Sequence, residues 1–254
     1  MDTQSYLNRL RYTGPLDVTA ETLRQLHKAH LLSVPFENLD NHVGRRIVLE
    51  EERVIRKLVQ EGRGGICYEL NGAFCALLRE IGFEVAMLSA GVARDAGGFD
   101  PPFDHMTLMV NLEQRWLADV GFGDSFREPL LLDERGEQIQ SDDAYQLREI
   151  DGFLILFRRE SGEWKPQYRF TLERYPYSAF SEMCVYHQTS PESIFTQRRP
   201  CSVATPEGRI TVTDKRVIIT ELGEKREREL SSREEWRSAL LEHFGIDLDR
   251  IAVL

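Results

Sequence analysis

The chain has 254 residues, 41% of them apolar and 29% charged, which is the composition of a folded globular protein long enough to bury a sizeable core. Its net charge is −10 at pH 7, and without a basic run it offers no footprint for nucleic acid. No apolar stretch approaches the ~18 residues that cross a bilayer, and the opening MDTQSYLNRL lacks the basic-then-apolar pattern of a secretory signal, so a cytoplasmic protein without membrane partners is expected.

The first third reads as helical. Thr19 is placed to cap a helix carrying Leu23, Leu26 and Leu31 on one face. Residues 51–61 bring Val54, Ile55, Leu58 and Val59 together before Gly62 ends the run. After Arg63-Gly64-Gly65, a third helix is predicted from about Cys67 to Ile81, with Leu70, Phe74, Leu77, Leu78 and Ile81 on its apolar face and Gly82 as its stop.

The period then changes. Residues 83–92, 106–112, 115–120, 153–158 and 167–172 read as strands of an antiparallel sheet or small barrel, with a linking helix at 178–187. Strands at 209–213 and 216–220 flank a Thr213-Asp214-Lys215 turn. The mixed-charge run Glu221–Arg228 reads as a solvated face or turn. A final helix is announced by a Ser232/Glu235 capping box, with Trp236, Leu240 and Phe244 on one face. The expected class is α+β in three parts: helical residues 1–83 carrying a cysteine, β-rich residues 84–202 carrying a histidine and an aspartate, and a small α/β end at 203–254.

The four cysteines are Cys67, Cys75, Cys184 and Cys201. They form no Cys-x-x-Cys pair, so neither a zinc site nor a disulfide framework is expected. Cys67 alone follows two glycines and opens a helix, whose N-terminal partial charge favours a thiolate. The plain alternative is a core cysteine near a turn. A hairpin around residues 111–114 places residues whose numbers sum to about 225 opposite each other, which brings Asp119 near His105 across one strand gap. One slip of register separates them, leaving a surface histidine and an edge aspartate. Taken together, Cys67 as nucleophile, His105 as base and Asp119 as its orienter make a thiolate–imidazolium pair suited to acyl attack. His27 and His30 read as surface or core-edge groups, and Cys75, Cys184 and Cys201 as structural.

The segment Arg63-Gly64-Gly65-Ile66-Cys67-Tyr68-Glu69-Leu70-Asn71 resembles the nucleophile motif of the arylamine N-acetyltransferases. Val34-Pro35-Phe36-Glu37-Asn38-Leu39, His105-Met106 and Trp116-Leu117-Ala118-Asp119-Val120-Gly121-Phe122-Gly123 resemble further motifs of that family, in its order. The likeness is dense over about residues 30 to 125. It implies a helical bundle, a central antiparallel β-barrel and an α/β lid around a cysteine-protease-like Cys-His-Asp core. It also implies a ping-pong enzyme that takes acetyl from acetyl-CoA onto Cys67 and passes it to an arylamine or arylhydrazine, with O-acetylation of N-hydroxyarylamines as a further reaction and no metal. Phe36, Phe122 and Phe195 match positions lining the acceptor pocket, and Arg9, Glu37 and Arg63 match charged positions bracing the active-site loops. This chain departs at Pro101 and Pro102, which have no N–H to give, so the Phe103 N–H is expected to partner the Cys67 N–H at the oxyanion. A papain-like or transglutaminase-like thiol hydrolase, which uses the same order of residues, is the alternative; dependence of turnover on an amine separates the two.

Overall fold

The computed structural model describes residues 2–141 and 143–251. Thr19 Oγ1 accepts the Thr22 N–H and starts the helix Ala20–Ser33, which buries Leu23 and Leu26 and, unexpectedly, His27 and His30. The predicted 51–61 helix is α-helical over Glu51–Ile55 and continues as a π turn, Arg56–Gln60. The helix Cys67–Ile81 is buried from Cys67 through Leu78 and stops at Gly82, whose φ of 114° a side chain would strain. Its apolar face lies on the strand His105–Asn111 in one continuous core, where Leu70 and Phe74 join Met106, Leu108 and Val110.

Eight antiparallel strands form the central sheet. Their spatial order is 130–131, 115–118, 105–111, 84–92, 163–175, 153–160, 143–150 and 138–140. The sheet curls around a second core that includes Leu88, Met109, Leu147, Leu156 and Phe170. Its two outermost strands meet through side chains instead of a ladder. The Gln138 amide accepts the Leu131 N–H at 2.8 Å and donates to the Leu131 carbonyl at 2.9 Å. Gln140 does the same work nearby, accepting the Arg127 N–H at 2.9 Å and donating to the Glu128 carbonyl at 2.6 Å. Amide side chains thus satisfy backbone groups that an open edge leaves unpaired.

A second, five-stranded sheet runs in the order Phe36–Glu37, Cys201–Thr205, Gly208–Val212, Arg216–Glu221 and Glu224–Glu229. Its first strand comes from the N-terminal third, with Phe36 opposite Ser202. The charged run Glu221–Arg228 is solvated as expected, and Leu222 and Gly223 form a turn, but residues 224–228 belong to the last strand, exposed at every residue from 224 to 229. Pairing with the neighbouring hairpin arm makes it a strand despite its polarity, and dense charge protects a free edge from further pairing. The helix Arg233–Phe244 covers this sheet with Trp236 and Leu240. Ser232 Oγ accepts the Glu235 N–H as expected, while the Glu235 carboxylate reaches the Ser231 N–H, one residue earlier than a standard capping box. No helix among the described residues is long and apolar enough to cross a membrane.

Candidate active site

Cys67 is the first residue of its helix, and the loop before it is held by buried charges. Arg63 donates to Glu37 at 2.9 Å and to Asp40 at 2.8 Å. Lys57 bridges Asp40 at 2.9 Å and Glu69 at 2.7 Å, and the second Glu69 oxygen accepts the Ile66 N–H at 3.1 Å. Burial works against a charged Lys57, but Glu69, Glu37 and Asp40 together hold its pKa above the usual lysine range. Removing one member strands a buried charge, so the network fixes the loop geometry. Arg9 adds bonds to the Leu58 and Gly62 carbonyls at 3.0 and 3.2 Å. The two glycines serve close approach: a Cβ on Gly64 falls 1.9 Å from the Pro35 carbonyl oxygen, and the Gly65 carbonyl accepts the Glu37 N–H at 3.0 Å.

His105 Nε2 donates to Asp119 Oδ2 at 2.7 Å, both groups being buried. The hairpin register differs by one residue from the expected one. Leu108 faces Ala118 and Met109 faces Leu117, so continuing the ladder puts Asp119 opposite Thr107, and His105 reaches it diagonally on the same face. Asp119 Oδ1 accepts from Asn71 at 2.9 Å and from the Gly121 N–H at 3.0 Å. Burial alone raises this carboxyl, but the His105 charge and these donors hold it below the ordinary carboxylate range. Asn71, one helical turn after Cys67, also donates to the Met106 carbonyl at 2.6 Å and accepts the Val120 N–H at 2.9 Å. It therefore locks the Cys67 helix to both strands of the hairpin. The signal for this role was a lone amide on an otherwise apolar helical face.

His27 corrects the surface reading. It lies behind Asp119, accepting the Asp119 N–H at Nε2 (3.1 Å) and donating from Nδ1 to the Arg127 carbonyl (2.9 Å). Burial pulls its pKa down to about 4, and burial also holds His30 well below the ordinary histidine range. The pair packs on Phe74, which the apolar period of the Ala20 helix did not reveal.

A cavity of about 810 Å³ opens beside these groups, lined by Cys67, His105, Phe36, Phe122 and Phe195 among others. The Phe122 ring stands edge-on to His105 with centroids 5.2 Å apart, and Tyr168, overlooked in the sequence, lies 5.2 Å from both rings. Phe36 and Phe195 face each other at 5.9 Å. A Cβ on Gly121 falls 2.8 Å from Cys67 Cα, so the Asp119 loop crosses directly over the helix start. Nε2 being bonded to Asp119, Nδ1 is the His105 nitrogen left for the cavity.

Two expectations change. Phe103 does not offer a free N–H, because that group donates to Ser89 Oγ at 2.7 Å, and the Phe103 ring packs on Tyr175 and Phe180. The Cys67 N–H, at a helix start where N–H groups lack intrahelical partners, stays as oxyanion candidate. Nor does the helix end alone supply a thiolate. Burial pushes the Cys67 thiol well up, against the pull of the Met106 N–H and with the Asp104 and Asp119 charges adding to the rise. Cys75 and Cys184 are likewise pushed up, to about 11 and about 12, by burial. What distinguishes Cys67 is the cavity it shares with His105. No group of three His, Cys, Asp or Glu side chains among the described residues is arranged to hold a metal ion.

A family model described as N-acetyltransferase matches residues 19–253. Arylamine N-acetyltransferase 1 of Homo sapiens is 32% identical, with 98% of this chain and 96% of the human one aligned. The arylamine N-acetyltransferase / N-hydroxyarylamine O-acetyltransferase of Salmonella typhimurium is 40% identical over 66% of this chain and 60% of its own. Among solved structures, an arylamine N-acetyltransferase of Mycobacterium marinum in complex with CoA superposes with a TM-score of 0.91 at 28% identity, covering 98% of this chain and 94% of that one.

Proposed function

The chain belongs to the arylamine N-acetyltransferase family, and from that premise we propose that Cys67, His105 and Asp119 are the groups through which it acts. It is an acyltransferase that uses acetyl-CoA as acyl donor and arylamines as acceptors. The observation that carries the assignment of residues is the shared cavity, which Cys67 and His105 both line while Asp119 holds the far nitrogen of the imidazole at 2.7 Å.

The Cys67 thiol passes its proton to His105 Nδ1, and the sulfur bonds to the acetyl carbon of the thioester. The tetrahedral oxyanion faces the Cys67 N–H. The bond from that carbon to the CoA sulfur breaks, and CoA leaves as a thiol with the proton from His105. In the second half-reaction an arylamine nitrogen bonds to the same carbon, His105 accepts its proton, and the bond to Cys67 sulfur breaks. The proton returns to that sulfur, and the amide departs. Phe36, Phe122 and Phe195 bound the acceptor site, where flat rings hold an aromatic amine and keep water from the thioester. The cavity volume is in the range of small-molecule sites. Arylhydrazines present the same nucleophilic nitrogen and serve as acceptors, and N-hydroxyarylamines are acetylated on oxygen. Residues 1–83, 84–202 and 203–254 act as nucleophile, base and lid parts, in a cytoplasmic enzyme.

The test is intact mass after mixing the protein with acetyl-CoA and no acceptor. One acetyl group is expected on Cys67, and the Cys67→Ala variant should gain none and lose transfer. Acetyl-CoA that leaves the mass of the intact protein unchanged, or transfer surviving in Cys67→Ala, would sink the assignment. A free thiol hydrolase would release acetate at the same rate with or without amine.

A further inference from the structure

A second histidine faces the same cavity and takes no part in the steps above. His187 sits in the last turn of the helix Ser181–Thr189 and is buried. Its Nε2 lies 3.3 Å from the Asp104 carbonyl oxygen and 3.4 Å from the Asp104 carboxylate. Both are acceptors, so Nε2 carries a proton. Its Nδ1 lies 3.1 Å from Ser193 Oγ and, with Nε2 donating, accepts the serine O–H, the His187 carbonyl being the longer alternative acceptor at 3.4 Å. Ser193 Oγ in turn accepts the Phe195 N–H at 3.2 Å and caps the short helix Ile194–Gln197. The imidazole also stands edge-on to the Phe195 ring, with centroids 5.0 Å apart. One ring therefore bridges the residue before His105 and the turn that carries the Phe195 wall.

Packing alone does not call for a histidine here. A buried polar ring costs stability unless each of its polar atoms is used, and here both nitrogens reach loops on different parts of the chain. The Asp104 end is braced a second time, because the Tyr68 hydroxyl donates to the Phe103 carbonyl at 2.7 Å and to the Asp104 carbonyl at 3.0 Å. The Phe195 end has its own support from Asn38, which donates to the Phe195 carbonyl at 2.8 Å. His187 is the side chain that joins the two held ends.

We propose that His187 is a positioning residue for the acceptor: it fixes how far the Phe195 wall stands from the loop that delivers His105. The inference rests on the cavity being the arylamine site, as read above. Displacing the wall loosens capture of a flat amine. It leaves the acetylation of Cys67 nearly untouched, since Cys67, His105 and Asp119 keep their own bonds.

Two variants separate the bridge from the bulk. His187→Phe keeps a ring of similar size and loses both hydrogen bonds, whereas His187→Gln keeps one donor and one acceptor. With para-methoxyaniline as acceptor, His187→Phe should raise KM about tenfold, with a smaller loss in kcat, as for removal of a buried hydrogen-bonding partner. The burst of CoA released from acetyl-CoA alone should stay within about twofold of the parent, and His187→Gln should recover most of the KM. Ser193→Ala should shift KM in the same direction, and combining it with His187→Phe should add little, because both cut one bridge. Ser193→Ala removes no ring and carries the test by itself if His187→Phe fails to fold. A parent enzyme without a CoA burst defeats the acyl-cysteine reading itself. A normal parent burst with unchanged acceptor KM in His187→Phe and Ser193→Ala overturns the positioning role alone. So does an equal fall in burst and acceptor turnover, or a glutamine variant no better than phenylalanine.

Discussion

Asp119 accepts hydrogen bonds from His105, Asn71 and Gly121 at once, so its neutral isostere has no satisfactory orientation. In Asp119→Asn, an amide NH₂ must face either the His105 N–H or the Asn71 and Gly121 donors. The imidazole is then driven toward the wrong tautomer and its cation loses its counter-charge. The fold should survive, while acetylation of Cys67 slows by about 10²–10⁴. Alkylation of Cys67 followed from about pH 5 to pH 9 should also move to higher pH: the variant loses a charge that itself raises the thiol, but the weakened imidazolium partner outweighs that direct effect. An unchanged rate with an unchanged profile would leave Asp119 as a framework residue only.

At the scale of the element, the hairpin end crosses the start of the Cys67 helix with no space to spare. A methyl at Gly121 meets Cys67 Cα and the Asn71 amide, each at 2.8 Å, and neither backbone nor a fully bonded amide gives way easily. Gly121→Ala should therefore lift the Asp119 loop, reduce transfer by at least about tenfold and cost about 1–3 kcal/mol of stability, as overpacking does. Kinetics with urea denaturation checks both, and a fully active, equally stable variant would show the loop to be pliant. How much of this architecture was readable follows from its periodicities. The Cys67 helix was legible because its apolar residues recur at helical spacing and Gly82 ends it. The hairpin that carries His105 and Asp119 was legible as two strands, but its register was not, since a turn near residues 111–114 closes with either alignment. Residues 138–140 and 143–150 escaped notice, and the run through 224–229 was read only as a solvated face or turn, because exposed or partly exposed strands carry polar residues on both faces. The triad types were visible in the sequence. Asn71 showed only as a lone amide on an apolar helical face, and His27 and Tyr168 not at all, because their roles arise from contacts between distant segments that no local spacing encodes.

For the molecule as a whole, His27 and His30 couple stability to pH. Burial lowers His27 to about 4, whereas an unfolded chain titrates it near 6.5. Between these values the unfolded chain binds a proton that the folded one refuses, so stability is complete above about pH 6.5 and is lost as pH falls toward 4. The full His27 contribution is about 3 kcal/mol. Urea unfolding at about pH 7.5 and pH 5 should show this loss, and His27→Gln, whose amide can still bond to Asp119 and Arg127, should flatten the slope. Equal slopes in parent and variant would remove His27 as the cause.

The strand Phe36–Glu37 carries a different consequence. It lies against the loop that presents Cys67, yet its sheet partner is Cys201–Ser202, near the other end of the chain. A ribosome delivers the helix that begins at Cys67 early and the strand that clamps the loop before it late. The loop around Cys67 therefore waits, half-supported, until the last sheet has emerged and zipped onto Phe36. Long-range pairing of this kind is slow to form, because the intervening chain must first be brought together. Assembly of the loop around Cys67 is thus tied to emergence of residues 201–202, and a chain stopped short of residue 201 lacks the strand that pairs with Phe36–Glu37 beside that loop.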